Sequence, residues 1–246
     1  MRRFVTFLNT QLKISLRDMN MPIFALLMPL VIFLVLGILY GGKPAYDGAG
    51  YTFLEQSFGA VSAVAICAGG LMGLPMAVSD ARERKILKRF RVTPVTPVFL
   101  LGVQLAMYVV YCALSLATLS LVSQLWKVRL HGALLPFLGS WLLTMLSTPA
   151  LGMLVGGVAK DTKQAGVLAS ILYFPMLIFS GATLPMEVMP PVMQRIVSFF
   201  PLTQGITLMK NAFLGVPTDS VLLPVCVMLG LTALCVGLAI CFFRWE

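Results

Sequence analysis

Six long stretches of the chain carry no charged side chain, and the segments between them hold all of the charges. Each stretch exceeds the roughly 20 apolar residues that a helix needs to cross the hydrocarbon of a bilayer. The pattern predicts an all-α polytopic membrane protein with six transmembrane helices. The predicted spans are 21–42, 56–79, 92–126, 132–159, 164–186 and 220–243.

The segment before the first span has its own periodicity. Phe4, Leu8, Leu12 and Leu16 recur every fourth residue, and basic side chains occupy the other faces. This spacing predicts an amphipathic helix over 1–20 that lies in the membrane interface. The alternative is a basic leader that only sets the orientation of the first span. No cleavable signal peptide is predicted, because the first long apolar run starts only near residue 21.

The loop between the second and third spans, 80–97, combines charge with an apolar stripe. Asp80 and Glu83 have the spacing of a capping box and predict the start of a short helix. Ile86, Leu87 and Phe90 follow at helical spacing, before two prolines that end the helix. An apolar ridge with basic surroundings suits insertion into a groove on a soluble partner. A solvated loop is the alternative, but it leaves the apolar stripe unexplained.

The segment 184–219 is too long for a tight turn between the last two spans. Pro201 divides it into two amphipathic turns, and Gly215 with Pro217 ends the second. The pattern predicts two short external helices of a re-entrant type that dip into the outer leaflet. A soluble cap is the alternative, and it would expose much apolar surface.

Composition agrees with a membrane protein. The 246 residues are 59% hydrophobic and 11% charged, whereas soluble domains carry about 25% charged residues. Six spans and their loops leave no room for a sizeable soluble domain, so we expect one transmembrane domain over 1–246. The five cysteines all lie in apolar stretches and are expected to be small packing residues. Gly152 and Gly156 form a weak helix-packing motif, expected to serve local packing.

The basic residues are distributed unequally between the two sides of the predicted topology. Thirteen of the 18 fall on the side that holds the N-terminal segment, the 80–97 loop, the 160–163 loop and the C-terminal residues. Because cytoplasmic loops are enriched in Lys and Arg, this side is predicted to be cytoplasmic, with both termini inside. The net charge of +9 is therefore assigned to topology and to anionic lipid, and no nucleic-acid partner is expected.

The sequence lacks the motifs of several enzyme and pump classes. It contains no GxxxxGK[ST] loop, no HExxH and no GxSxG, and the spans as predicted contain no Asp, Glu, Lys, Arg or His. A single histidine, His131, argues against most histidine-based metal sites. Proton-coupled carriers usually place ionisable groups in the membrane. We therefore expect no catalytic, cofactor or metal site in this chain, and either an energy source outside it or passive transport.

Two motifs resemble those of a known family. Residues 82–94 resemble the first cytoplasmic coupling motif of type-2 ATP-binding-cassette (ABC) exporters, E-[RK]-G-T-x-x-x-L-x-x-[TS]-P, although Lys85 and Ile86 replace Gly-Thr. Residues 179–185, with Pro190 and 200–203, resemble the family's F-x-S-G…P…LP…P-[LF]-T signature, with Gln204 where an aromatic residue or His is common. With the N-terminal segment, which resembles the family's interface helix, the likeness to the membrane permease subunit spans essentially the whole chain.

The resemblance implies a concrete mechanism. Two copies, or this chain and a related permease, would pair around a substrate path in the cell membrane. A separate cytoplasmic ATPase dimer, which would hold the ATP and Mg²⁺, would drive export. The implied sites fall into three groups: ATPase coupling (Glu83, Arg84, Ile86, Leu87, Phe90, Lys160, Asp161), the interface helix (Phe4, Leu8, Leu12, Leu16) and an external gate (Ser180, Gly181, Pro185, Pro201, Thr203).

Other functions fit the same topology. A membrane scaffold or assembly factor would need no ATPase, and a secondary carrier or channel would need its own polar path. For an exporter, the 15 methionines suit a hydrophobic drug, antibiotic, lipid or peptide, since methionine adapts to irregular apolar shapes. Methionine is also ordinary lipid-facing packing, so a polymer is not excluded.

Overall fold

A computed structural model describes residues 2–46, 48–83, 97–182, 189–217 and 221–242. These residues form helices joined by short loops, with one isolated β-bridge between Pro44 and Thr52. The all-α class predicted from the sequence is confirmed. The helices, in chain order, are α1 (Arg2–Asp18), α2 (Met28–Tyr40), α3 (Phe53–Ala68), α4 (Leu74–Glu83), α5 (Pro97–Ser123), α6 (Leu134–Val158), α7 (Thr162–Phe179), α8 (Pro191–Val197), α9 (Pro201–Leu214) and α10 (Leu222–Phe242).

Short irregular turns extend or join several of these helices. A π-helical segment at Ile23–Leu27 leads into α2, and another at Gly69–Gly73 joins α3 to α4 into one continuous rod. The third span ends in a 3₁₀ turn at Gln124–Trp126, after α5. π segments are rare and often occur where a helix serves a functional purpose.

The six predicted spans are confirmed within the described residues. The helices long and apolar enough to cross a membrane are Ile23–Tyr40, Phe53–Glu83, Leu101–Trp126, Leu134–Val158, Thr162–Phe179 and Leu222–Ala239. We call the end of the bundle that carries Glu83 and the α6–α7 turn, 159–161, the basic end. Its assignment to the cytoplasm remains a prediction from the charge distribution.

The second span is longer than the sequence pattern predicted. Phe53–Glu83 has 31 residues and is about 46 Å long, whereas the hydrocarbon core is about 30 Å thick. Its ends therefore extend past the hydrocarbon, so charged residues at Glu55 and Arg82 belong to the helix but not to its apolar centre. The prediction that Asp80 starts a new helix is wrong, because α4 continues without a break from Leu74 to Glu83.

The second span is also the centre of the bundle. Its most apolar window is 89% buried, against 61% for the fourth span and 22% for each of the first, fifth and sixth. Gly152 on α6 packs directly on the carbonyl oxygen of Gly70, and Gly156 packs on Pro75 and Val78. The local role predicted for this glycine motif is confirmed, because both residues meet α4 or the π segment before it.

The tightest part of this packing surrounds the π segment. The Tyr108 ring lies 3.5 Å from the position of a Cβ on Gly69, and Thr148 lies 3.2 Å from that on Gly70. The Tyr108 and Thr148 hydroxyls are 2.8 Å apart, and Tyr108 also donates to the Ile66 carbonyl at 3.3 Å. The irregular part of the second span is thus held by polar contacts from the third and fourth spans.

Two short helices precede the last span, as predicted. Helix α8 keeps Val192 and Ile196 exposed. Helix α9 begins at Pro201 and ends at Leu214, and the capping residue Gly215 has a φ of 71°, which favours glycine. Ten residues of α9 are buried between α3 and α6, so this helix is enclosed by protein and is not simply laid on a leaflet.

Helix α1 confirms the amphipathic element predicted for 1–20. Phe4 and Phe7 make edge-on contacts with Phe99 at ring-centre distances of 5.6 and 5.7 Å. Further along, the Tyr111 hydroxyl lies 3.2 Å from that of Ser15, so α1 runs along the first half of α5. Leu16 does not join this contact face, because 59% of it is exposed.

Candidate functional site

The basic end brings together the end of the second span and the turn between the fourth and fifth. Arg82, near the end of α4, is buried at 7% exposure. Its Nη1 donates to the carbonyl of Ala159, and its Nη2 donates to that of Gly157 at 3.3 Å. These carbonyls lie at the C-terminal end of α6, where helix carbonyls lack partners of their own. A planar guanidinium suits two acceptors at once.

Glu83, the next residue, points to the beginning of the fifth span. Its Oε2 accepts hydrogen bonds from the backbone N–H of Thr162 at 3.2 Å and from the Thr162 hydroxyl at 2.7 Å. Thr162 is the first residue of α7, whose free N–H groups attract a negative charge. Glu83 itself is exposed, so these contacts lie at the protein surface.

The turn between α6 and α7 is ordered by its own side chains. Asp161 caps α7, since its Oδ1 accepts from the N–H of Gln164 at 2.7 Å. In return, the Gln164 Oε1 accepts from the N–H of Lys160 at 2.8 Å. Lys160 and Asp161, both predicted to contact an ATPase, are exposed. We call Arg82, Glu83, Thr162 and the 157–161 turn the basic-end junction.

The predicted external gate is divided between two elements. Ser180 follows α7 and is buried; its hydroxyl donates to the Leu177 carbonyl at 3.1 Å and accepts from the Ala182 N–H at 3.4 Å. Gly181 has φ 86°, which explains glycine in the turn after the helix. Pro201 and Thr203 lie in the first turn of α9 and are both buried.

Thr203 and its neighbour Gln204 differ in their contacts. The Thr203 hydroxyl is buried and has no hydrogen-bond partner among the residues that the structure describes. The Gln204 side chain donates to the carbonyl of Ser198 and so ties α9 to the end of α8. The departure from the family pattern at Gln204 therefore has a structural use in this chain.

Five of the predicted site residues belong to the 80–97 loop or to the segment after Ala182. Arg84, Ile86, Leu87, Phe90 and Pro185 lie outside the described residues. The apolar stripe in the 80–97 loop and its fit to a groove therefore stay predictions from the sequence. Within the described ranges, no cluster of three or more His, Cys, Asp or Glu side chains is placed to hold a metal ion.

The opposite end of the bundle has a buried carboxylate that the sequence reading missed. Glu55 is 6% exposed and forms a capping box with Thr52 at the start of α3. Its Oε1 accepts from the Arg129 N–H at 3.0 Å, and its Oε2 lies 3.2 Å from the His131 Nε2. The N–H of His131 donates in turn to the Phe213 carbonyl at the end of α9, at 3.1 Å. The spacing Thr52-x-x-Glu55 was the available signal.

Replacing Glu55 with glutamine is expected to destabilise this end of the protein. A glutamine amide nitrogen cannot accept from the N–H groups that the carboxylate now satisfies, and an unmatched buried donor costs about 1–3 kcal/mol. The unfolding temperature of the detergent-solubilised Glu55→Gln variant should fall. The control is Lys127→Gln, because Lys127 lies on the loop that holds Arg129 and His131 but is exposed. Equal unfolding temperatures for both variants would contradict the role of the carboxylate.

Comparison with known proteins gives one family and several relatives. The family model described as "ABC-2 type transporter" matches residues 2–214. Nodulation protein J of Neorhizobium galegae is 34% identical over 101 residues, which cover 41% of this chain and 36% of the relative. Inner membrane transport permease YhhJ of Escherichia coli (strain K12) is 26% identical over 129 residues, covering 52% and 34%. Nodulation protein J of Rhizobium leguminosarum bv. viciae is 33% identical over 86 residues, covering 35% and 33%.

These matches differ in extent. The aligned segments span only about a third of the length of each curated relative. The family match, in contrast, runs from α1 to the last residue of α9 and includes the basic-end junction.

Proposed function

The chain belongs to the ABC-2 type transporter family, and on that basis we propose that it is the membrane-spanning subunit of an ATP-driven exporter. The observation that carries this proposal is the family match over 2–214, which includes five of the six spans. The protein would lie in the cell membrane, the inner membrane where the cell has two, with its basic end in the cytoplasm.

The energy would come from a separate polypeptide. The sequence has no phosphate-binding loop of the GxxxxGK[ST] type. We assign ATP and Mg²⁺ to a cytoplasmic ATPase dimer that contacts the 80–97 loop through Arg84, Ile86, Leu87 and Phe90. A second contact would involve Lys160 and Asp161, whose exposure at the same end supports this assignment.

A complete transport path would need a second permease, either another copy of this chain or a related one. The first, fifth and sixth spans support this proposal, since each keeps most of its most apolar window unburied within one chain. Lipid and a second permease would share these surfaces. The Ser180–Gly181 turn and the start of α9, at the opposite end, would then border the outer exit of the path.

The proposed cargo is a hydrophobic drug, antibiotic, lipid or peptide. The support is the apolar, methionine-rich character of the spans. The relatives carry the names nodulation protein J and transport permease, which do not agree on one cargo.

Purification of the tagged full-length chain from membranes of its own host tests the energy source. We expect an ABC ATPase to co-purify and the complex to hydrolyse ATP in a vanadate-sensitive manner. A tagged, unrelated protein of the same membrane is the control. If no ATPase accompanies the chain with or without nucleotide, the exporter assignment is wrong, and a scaffold becomes the better description.

A further inference from the structure

Two consecutive residues at the end of α4 contact the ends of two different spans. Arg82 donates to the last carbonyls of α6, and Glu83 accepts from the first residue of α7. Residues 84–96, which form the rest of the 80–97 loop, follow directly after Glu83 in the chain. Any displacement of that loop therefore meets these contacts before it reaches the rest of the second span.

The charges match the helix ends that they contact. The C-terminal end of a helix carries partial negative charge and the N-terminal end partial positive charge. A guanidinium at the end of α6 and a carboxylate at the start of α7 are each in the favourable position. Charge-assisted hydrogen bonds are also stronger and more directional than neutral ones. Exchanging the two residue types would place a carboxylate at the negative end of α6 and a guanidinium at the positive end of α7, and both contacts would become repulsive.

We propose that Arg82 and Glu83 are positioning residues that transmit nucleotide-driven movement of the second span to the fourth and fifth spans. This inference rests on the proposed exporter function, because it needs an ATPase to supply the movement. In this mechanism Glu83 acts inside the permease through Thr162. The ATPase contact is left to the residues that follow it and to the exposed turn at Lys160 and Asp161.

Apolar packing alone would not fix α4 to α7 in this way. Beside the junction, α4 meets α7 through the flexible end of the Met76 side chain, whose Cε is 3.1 Å from the position of a Cβ on Gly166. Methionine adapts its shape easily, so this contact permits the helices to slide. The two hydrogen bonds from Thr162 to the Oε2 atom of Glu83 instead fix the position of α4 along α7.

Site-specific labels on the two helices test the transmission in the purified permease–ATPase complex. A spin label is placed either at Ala77→Cys, on α4, or at Ile171→Cys, on α7, where the side chain is 63% exposed. The background carries Cys226→Ser and Cys241→Ser, since Cys67, Cys112 and Cys235 are buried. The spectral change on adding ATP with vanadate is measured for each label.

The expected result differs between the label on α4 and the label on α7. In the parental complex both labels respond to nucleotide. In Glu83→Ala the Ala77 label still responds, while the response of the Ile171 label falls by roughly tenfold or more, because both hydrogen bonds to the carboxylate are lost. In Thr162→Val the Ile171 response should fall less, because the backbone N–H of residue 162 still donates to Glu83. The double variant should be no worse than Glu83→Ala alone, because Glu83→Ala already removes both hydrogen bonds. Glu83→Gln, which keeps an acceptor, should restore part of the response.

Several outcomes would overturn the proposal. An unchanged Ile171 response in Glu83→Ala, or a larger loss in the double variant than in Glu83→Ala alone, would show that Glu83 does not act through Thr162. Thr232→Val, whose hydroxyl bonds only within α10, is the matched control and should respond as the parent does. No response of either label in the parental complex would contradict the exporter function itself. Both variant sites are at the surface, whereas Arg82 variants risk misfolding.

Discussion

Gly152→Ala is expected to destabilise the folded protein by about 2 kcal/mol or more, within or above the usual cost of overpacking a core. A Cβ on Gly152 would press on the carbonyl oxygen of Gly70 and lie 3.0 Å from the carbonyl carbon. Gly70 lies in the second span, the most buried of the bundle. Both atoms belong to the backbone, so no side-chain rotation relieves the contact. The fourth span would have to move away from the second, and packing around the π segment would be lost.

The same substitution elsewhere in α6 provides the control. A Cβ on Gly139 meets nothing within 4 Å, and alanine favours a helix over glycine by about 1 kcal/mol. Gly139→Ala should therefore match or exceed the parent in unfolding temperature and in the yield of monodisperse protein after detergent extraction. Equal yields and equal unfolding temperatures for the two variants would show that the Gly70–Gly152 approach is not a constraint.

Phe90→Ala is expected to separate ATP hydrolysis from movement of the spans. If Phe90 is the aromatic anchor of the 80–97 loop in the ATPase groove, its truncation should cost roughly 2 kcal/mol or more at that contact. The protein should still reach the membrane, because the substitution lies in the loop and leaves the apolar spans unchanged. The complex should retain ATP hydrolysis, while the nucleotide response of a label on Ile171 falls by at least about tenfold.

Phe199→Ala is the matched control for this prediction. Phe199 is also an aromatic outside the spans, but it lies at the opposite end and is 66% exposed. Its removal should leave both hydrolysis and the label response unchanged. A parental response in Phe90→Ala would remove the loop from the coupling path and leave Lys160 and Asp161 as the remaining candidates.

The spans could be predicted because they depend on one property, the absence of charge over the thickness of the bilayer. The same criterion placed the ends of the second span incorrectly, because a charged residue marks where a helix leaves the hydrocarbon and not where the helix ends. Glu55 and Arg82 lie within one helix because each finds partners outside the apolar centre: Thr52, Arg129 and His131 for the first, and two carbonyls for the second. Apart from Thr52, those partners are distant in sequence, so a local pattern does not contain them.

The candidate site was predicted in part for a similar reason. The sequence singled out Glu83 and the Lys160–Asp161 turn as separate contacts with a partner, and Thr162 was missed. The structure joins Glu83 to Thr162 across 79 positions of the chain. Likewise, four-residue spacing selected Leu16, which is exposed, and missed Phe7, which packs on Phe99. A helix repeats every 3.6 residues, so a strict spacing of four drifts off one face.

The length of the second span has a mechanical consequence. Its closest backbone contact, at Gly70, lies about 20 Å from Glu83 and about 26 Å from Phe53 along the helix axis. If the helix pivots at that point and its basic end tilts, the opposite end moves about 1.3 times as far in the reverse direction. Narrowing the bundle on one side of the membrane would then widen it on the other, with no change in the length of any helix.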